Sequence, residues 1–222
     1  NVKLVIVRRQ EKIDLDIKRE KITIPSVEQK ILDGNVGYLK ISRFAEDTSE
    51  LSQKAAEDFK AQGVKSIVLD LRNNPGGYLN ASVDVSCMWL KQGQLVLEEK
   101  RGGIVMKDYE CQQTGILNGI KTAVLINEGS ASASEITAGA LKDNGAATIV
   151  GQKSYGKGSV QEMSNMPGGS ILKVTVARWF TPSGKNIDKE GITPDETIEI
   201  TDENAKNNQD PQLDKAVLIV KS

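Results

Sequence analysis

Apolar and polar residues alternate along this chain in two periods, and the switches between them lay out its elements. Ile13, Leu15 and Ile17 alternate with charged residues, the mark of a strand with one wet face. Residues 2–7 form a second strand-like run, and the polar stretch 8–12 joins the two as a hairpin. Residues 37–44 predict a further strand. Asp47 then opens a helix, with Glu50 completing a capping box, Leu51, Ala55 and Phe59 on its inner face, and Gly63 at its end. Residues 66–71 and 121–126 are nearly continuous apolar runs, which predicts strands buried on both faces. Helices are expected from Tyr78 to about Gln92, from Ser132 to about Asn144, and over 211–220, where Leu213, Ala216, Val217 and Val220 share a face. Shorter strands are expected at 95–98, 104–108, 147–151, 159–164 and 171–180. Strands alternating with helices predict an α/β core. A pair of strands rarely stands as a domain. Residues 1–24 are therefore expected to be the end of another domain plus a linker, and 25–222 the core, with the true N-terminus upstream.

Composition narrows the function. The 222 residues suffice for one large domain, or one domain and a fragment. With 29 basic against 30 acidic residues, nothing electrostatic calls for nucleic acid or an anionic membrane. Aromatics at 4% argue against a base-stacking surface, and no apolar run reaches membrane-spanning length. Cys87 and Cys111 allow one pairing or none. The apolar run around Cys87 favours a buried free thiol.

The chain has no histidine. That rules out a Ser-His-Asp triad and a His-ligated zinc, and two distant cysteines cannot make a Cys-rich zinc site. An activated serine would then need another base, and a lysine serves only where burial brings its pKa from about 10.4 towards 7–8. Ser132 stands where an apolar strand gives way to a helix, in the run Gly129-Ser130-Ala131-Ser132-Ala133-Ser134-Glu135. Helix-start N–H groups there could hold an oxyanion, with Ala133 as one donor. The same run also reads as a plain capped helix start. Lys157 lies between Gly156 and Gly158. It is near a P-loop in pattern, but Gly158 replaces the Ser or Thr that would bind magnesium. A solvated lysine in a glycine turn is the other reading. Asn73-Asn74-Pro75-Gly76-Gly77 sits between a buried strand and a helix, where α/β sheets place ligands. Gly76 or Gly77 could supply the second oxyanion donor, or the turn could serve only chain reversal. Gln161, four residues after Lys157, would share a strand face with it and orient its amine.

Taken together, these segments resemble a known family. Asp70-Leu71-Arg72-Asn73-Asn74-Pro75-Gly76-Gly77, the Ser132 run, Tyr155-Gly156-Lys157-Gly158-Ser159-Val160-Gln161, Thr181-Pro182-Ser183-Gly184 and Gly191-Ile192-Thr193-Pro194-Asp195 occur in the order seen in carboxyl-terminal processing (tail-specific) serine peptidases. The resemblance implies a Ser-Lys dyad 25 positions apart, which falls on Ser132 and Lys157. Its bacterial branch implies a glutamine at Gln161, and its oxyanion donors fall on Ala133 and on Gly76 of the glycine turn. It implies a ClpP/crotonase-like core, with residues 2–18 as the last two strands of a PDZ domain. Protein or peptide substrates cut near their C-termini, no metal or cofactor, no nucleic acid and a site outside the cytoplasm follow from it, and it admits a homodimer. A peptide-binding scaffold without turnover is the alternative that the residues leave open.

Overall fold

The computed structural model describes residues 1–20 and 24–222; residues 21–23, part of the expected linker, lie outside the described residues. β1 (Val2–Arg8) and β2 (Glu11–Ile17) pair antiparallel as a sheet of their own. Arg9 and Gln10 turn between them at positive φ, as a two-residue hairpin requires. The rest runs β3 (Val27–Leu32), β4 (Val36–Ile41), α1 (Thr48–Ala61), β5 (Ser66–Asp70), α2 (Leu79–Cys87), β6 (Leu95–Arg101), β7 (Ile104–Glu110), β8 (Lys121–Ile126), α3 (Ala133–Asp143), β9 (Thr148–Gly151), β10 (Ser159–Asn165), β11 (Ile171–Phe180), β12 (Glu196–Thr197), α4 (Asp202–Lys206) and α5 (Pro211–Lys221).

The main sheet has six strands in the order β12-β9-β8-β5-β4-β3, all parallel except the edge strand β3. Period-two alternation sorts its side chains onto two buried faces. Ile67, Leu69, Val124 and Ile126 pack with Phe59, Val85 and Leu141 of α1, α2 and α3. Val68, Ala123, Leu125 and Val150 point the other way, against Ala216 and Val220 of α5. Burial on both sides explains why these strands read as unbroken apolar runs. A second, antiparallel sheet, β10-β11-β6-β7, adjoins the first.

The α/β expectation holds, with local departures. The Asp47–Glu50 capping box does not form. Asp47 Oδ2 instead accepts the Ser26 N–H (3.1 Å), so its carboxylate ties down the chain entering β3. The helix expected to reach Gln92 stops at Cys87, beyond which Trp89 is buried with its Nε1 donating to Thr122 Oγ1 (2.8 Å). Cys87 is not a free thiol; it is bonded to Cys111. β3, β12 and α4 were not evident from the hydrophobic pattern.

Candidate active site

β5, β8 and β9 are parallel neighbours, with Asp70 opposite Leu125 and Ile126 opposite Gly151. Their exits therefore lie side by side, and each leads into one of the motifs. Residues 72–77 follow β5, 127–132 follow β8, and 152–158 follow β9. Parallel pairing thus brings three segments far apart in sequence to one sheet edge, the usual ligand position in such sheets.

Ser132 precedes the first residue of α3 with φ 53° and ψ −116°. Few residues with a side chain adopt that conformation, and it persists where the surroundings over-determine it. Here they do. Ser130 Oγ donates to Leu71 O (2.8 Å), Ala131 N–H donates to Asn74 O (3.0 Å), and Ser134 Oγ donates to the same carbonyl (2.9 Å). The serine loop is stitched to the glycine turn on both sides of the nucleophile candidate. The Ala133 N–H, at the first helical position, has no acceptor among the described residues, as expected for an unsatisfied helix-start donor.

Asn74, fully buried, shapes the turn. Its Nδ2 donates to Ile41 O (2.8 Å) and its Oδ1 accepts the Gly76 N–H (2.9 Å). The donor expected from Gly76 is therefore engaged within the protein. Gly76 O accepts from Phe44 N–H (2.9 Å). Because the peptide is trans, the Gly77 N–H projects to the opposite side, and Gly77 lines the cavity beside Ser132. Both glycines have positive φ, and a Cβ on Gly77 would overlap the Phe44 carbonyl.

Lys157 sits on the loop before β10, half-buried, with its carbonyl accepting from Trp179 Nε1 (2.9 Å). Ser132, Lys157, Gln161 and Gly77 all face one cavity of about 440 Å³ whose walls are Phe44, Leu79, Ile136, Val160 and Trp179. The strand-face argument for Gln161 fails, because Lys157 is not on the strand. β10 carries a bulge between Val160 and Gln161, a feature that re-aims side chains, and Gln161 reaches the cavity from there. The segment after Lys157 is a strand, so the helix N-terminus that a P-loop needs is not present at this lysine.

The residue whose role the sequence did not disclose is Glu135. Its side chain is completely buried behind the cavity and accepts hydrogen bonds from four groups on the serine and lysine loops. The signal was present as a Ser-x-x-Glu pattern, the helix-start capping box. Its reach to the lysine loop needs the folded chain.

The chain as a whole is similar to known proteins. A probable CtpA-like serine protease of Staphylococcus aureus strain COL is 43% identical over 204 residues, 89% of this chain and 40% of that protein. The similarly described protein of Staphylococcus haemolyticus is 40% identical over 202 residues, with the same shares. The chain thus spans 40% of the length of these curated relatives. Among solved structures, the photosystem II D1 C-terminal processing protease superposes with a TM-score of 0.74 at 32% identity, over 89% of this chain and 55% of that one. A putative S41 protease from Bacteroides fragilis gives 0.75 at 20% identity, over 99% and 65%, a likeness of fold alone. The description of peptidase family S41 matches residues 35–198. With that match taking in the glycine turn, Ser132, Lys157 and Gln161 alike, the chain belongs to peptidase family S41.

Proposed function

We propose that this chain carries a serine endopeptidase centre with Ser132 as nucleophile and Lys157 as general base. The observation that carries the reading is their meeting in one cavity, at a strained helix start, in a chain without histidine. Ser132 Oγ attacks the scissile carbonyl carbon while its proton passes to the Lys157 amine. The proton then goes to the leaving nitrogen as the C–N bond breaks, and water releases the acyl group by the same route. The Ala133 N–H is one oxyanion donor. Of the glycine turn, the Gly77 N–H is the better second donor, since that of Gly76 is already bonded to Asn74. Gln161 orients the lysine amine. The apolar walls suit an apolar substrate side chain.

Likeness to a C-terminal processing protease supports cleavage near protein C-termini. The Cys87–Cys111 bond supports a location outside the reducing cytoplasm. We read residues 25–222 as a ClpP/crotonase-like core and the β1–β2 hairpin as PDZ material. The test is digestion of an unstructured protein with mass spectrometry of the products, beside Ser132→Ala, together with labelling by a fluorophosphonate probe. Cleavage and labelling that both vanish in Ser132→Ala support the reading. Wild-type protein that holds peptides but neither cuts nor labels would establish the scaffold alternative instead.

A further inference from the structure

We propose that Glu135 is a positioning residue that fixes the nucleophile and the base relative to one another, an inference that rests on the Ser132–Lys157 reading. Glutamate is almost never fully buried unless its charge is compensated. Glu135 has no exposed surface, and none of the salt bridges among the described residues involves it. Four hydrogen bonds serve instead. Oε2 accepts from the backbone N–H of Ser132 (2.8 Å) and from that of Lys157 (2.9 Å). Oε1 accepts from Ser154 Oγ (2.6 Å) and the Gly156 N–H (2.6 Å).

The sharing of Oε2 is the point of the arrangement. One oxygen binds the main chains of both reacting residues, so their two backbone nitrogens cannot separate by more than those two bonds together. α3 and the loop after β9 meet at that atom. The clamp does not depend on a substrate or on either reacting side chain, and Glu135 does not line the cavity. It acts through other residues, not on the substrate.

The clamp is itself braced. While donating to Glu135, Ser154 Oγ accepts the Ile192 N–H (2.6 Å). The segment holding Ile192 is fixed in turn by Asp195. That carboxylate accepts the Ile149 N–H (2.8 Å) and pairs with Lys142 of α3 (2.7 Å). The brace therefore runs from Glu135 through residues 192–195 and back to the helix that carries it. This gives the Gly191-Ile192-Thr193-Pro194-Asp195 motif a physical task.

The carboxylate is required because all four partners donate. A glutamine in this place would keep one accepting oxygen and turn an NH2 donor towards two N–H or O–H donors. The lysine loop would have to move, and a misplacement on the order of 1 Å costs roughly 100-fold in rate. The experiment compares wild type, Glu135→Gln, Glu135→Asp and Ser154→Ala. It measures kcat and KM per folded molecule, the rate of fluorophosphonate labelling and the thermal midpoint. We expect kcat of Glu135→Gln and its labelling rate to fall about 100-fold with KM within about twofold. Glu135→Asp, which keeps the charge on a shorter arm, should lie between, and Ser154→Ala should lose several-fold. A Glu135→Gln protein that melts lower but keeps wild-type kcat per folded molecule overturns the proposal. If that variant does not fold, Ser154→Ala decides, and unchanged kcat in it overturns the proposal equally. The two readings fail separately. Wild type that resists the probe overturns the dyad itself, whereas labelled wild type with an indifferent Glu135→Gln overturns only the clamp.

Discussion

Gly76 leaves no room for a side chain. A Cβ built there would lie 2.7 Å from Ser132 Cβ and 2.9 Å from the Ala133 nitrogen, at φ +96°. The glycine turn and the helix start are packed together with no space for a side chain between them. Gly76→Ala should therefore push the serine loop and the oxyanion donors apart while the sheet beneath stays folded. We expect kcat/KM to fall at least 100-fold, the size of losing one oxyanion donor, with a far-UV spectrum like wild type. An alanine variant of near wild-type turnover would show that the turn does not form the oxyanion site. Lys157 offers a chemical counterpart. Arginine there keeps the charge and much of the length, but its guanidinium does not deprotonate in proteins. Lys157→Arg should lose about 10²–10⁴-fold in kcat, the range of general-base catalysis. Single-turnover assays showing substantial acylation by that variant would remove the lysine from the mechanism.

Among the elements, α5 is joined to the site by charge as well as packing. Arg72, the second residue after β5, is held by Asp70 and reaches both carboxylate oxygens of Asp210 at 2.9 Å each. Asp210 also caps α5 by accepting the Leu213 N–H (3.0 Å). Burial by itself would raise the Asp210 carboxyl, but the Arg72 hydrogen bonds outweigh it and hold the group below its ordinary 3.8. A lowered folded-state value means stability that is complete above the unfolded value and is lost as pH falls through the folded one. Asp210→Asn should accordingly melt below wild type at pH 7, with the gap closing as pH drops beneath 3.8. Melting curves at pH 7 and pH 3 check this, and an equal gap at both would mean that the charge contributes nothing. The elements that carry the core were legible in the sequence because both faces of β5 and β8 are buried and leave an apolar imprint. β3 was not, because it is an edge strand in which Glu28, Gln29, Lys30 and Ile31 are all exposed, so burial leaves no apolar imprint on it. The Cys87–Cys111 bond and the reach of Glu135 to the lysine loop were hidden for another reason. Each depends on which segments, distant in sequence, meet in space, and local pattern does not encode that. Ser132 and Lys157 stood out through chemistry, since a chain without histidine leaves few bases to choose from, and the structure brings both to one cavity.

At the scale of the whole molecule, the β1–β2 hairpin forms a sheet of its own. Among the described residues its strands pair with each other and with no other strand, and neither belongs to a buried cluster. Leu4, Leu15 and Ile17 share one face of it and are 43%, 38% and 44% exposed. Apolar surface that stays in water adds nothing to the stability of the core, since the hydrophobic contribution scales with area removed from water. An isolated hairpin is itself marginal. Every group assigned to the site lies between Phe44 and Trp179, supported by α5 from behind. Removing residues 1–20 should therefore leave the thermal midpoint within about 2 °C of the full chain, less than the shift from one typical destabilising substitution. It should also leave kcat/KM on a short unstructured peptide within about twofold. Calorimetry of the two chains side by side, with peptide hydrolysis on the same samples, makes the comparison. A drop of several degrees would mean that the hairpin docks on the core. A fall in kcat/KM at unchanged midpoint would mean that β1 or β2 contacts the peptide, and the substrate path would then extend beyond the cavity at Ser132.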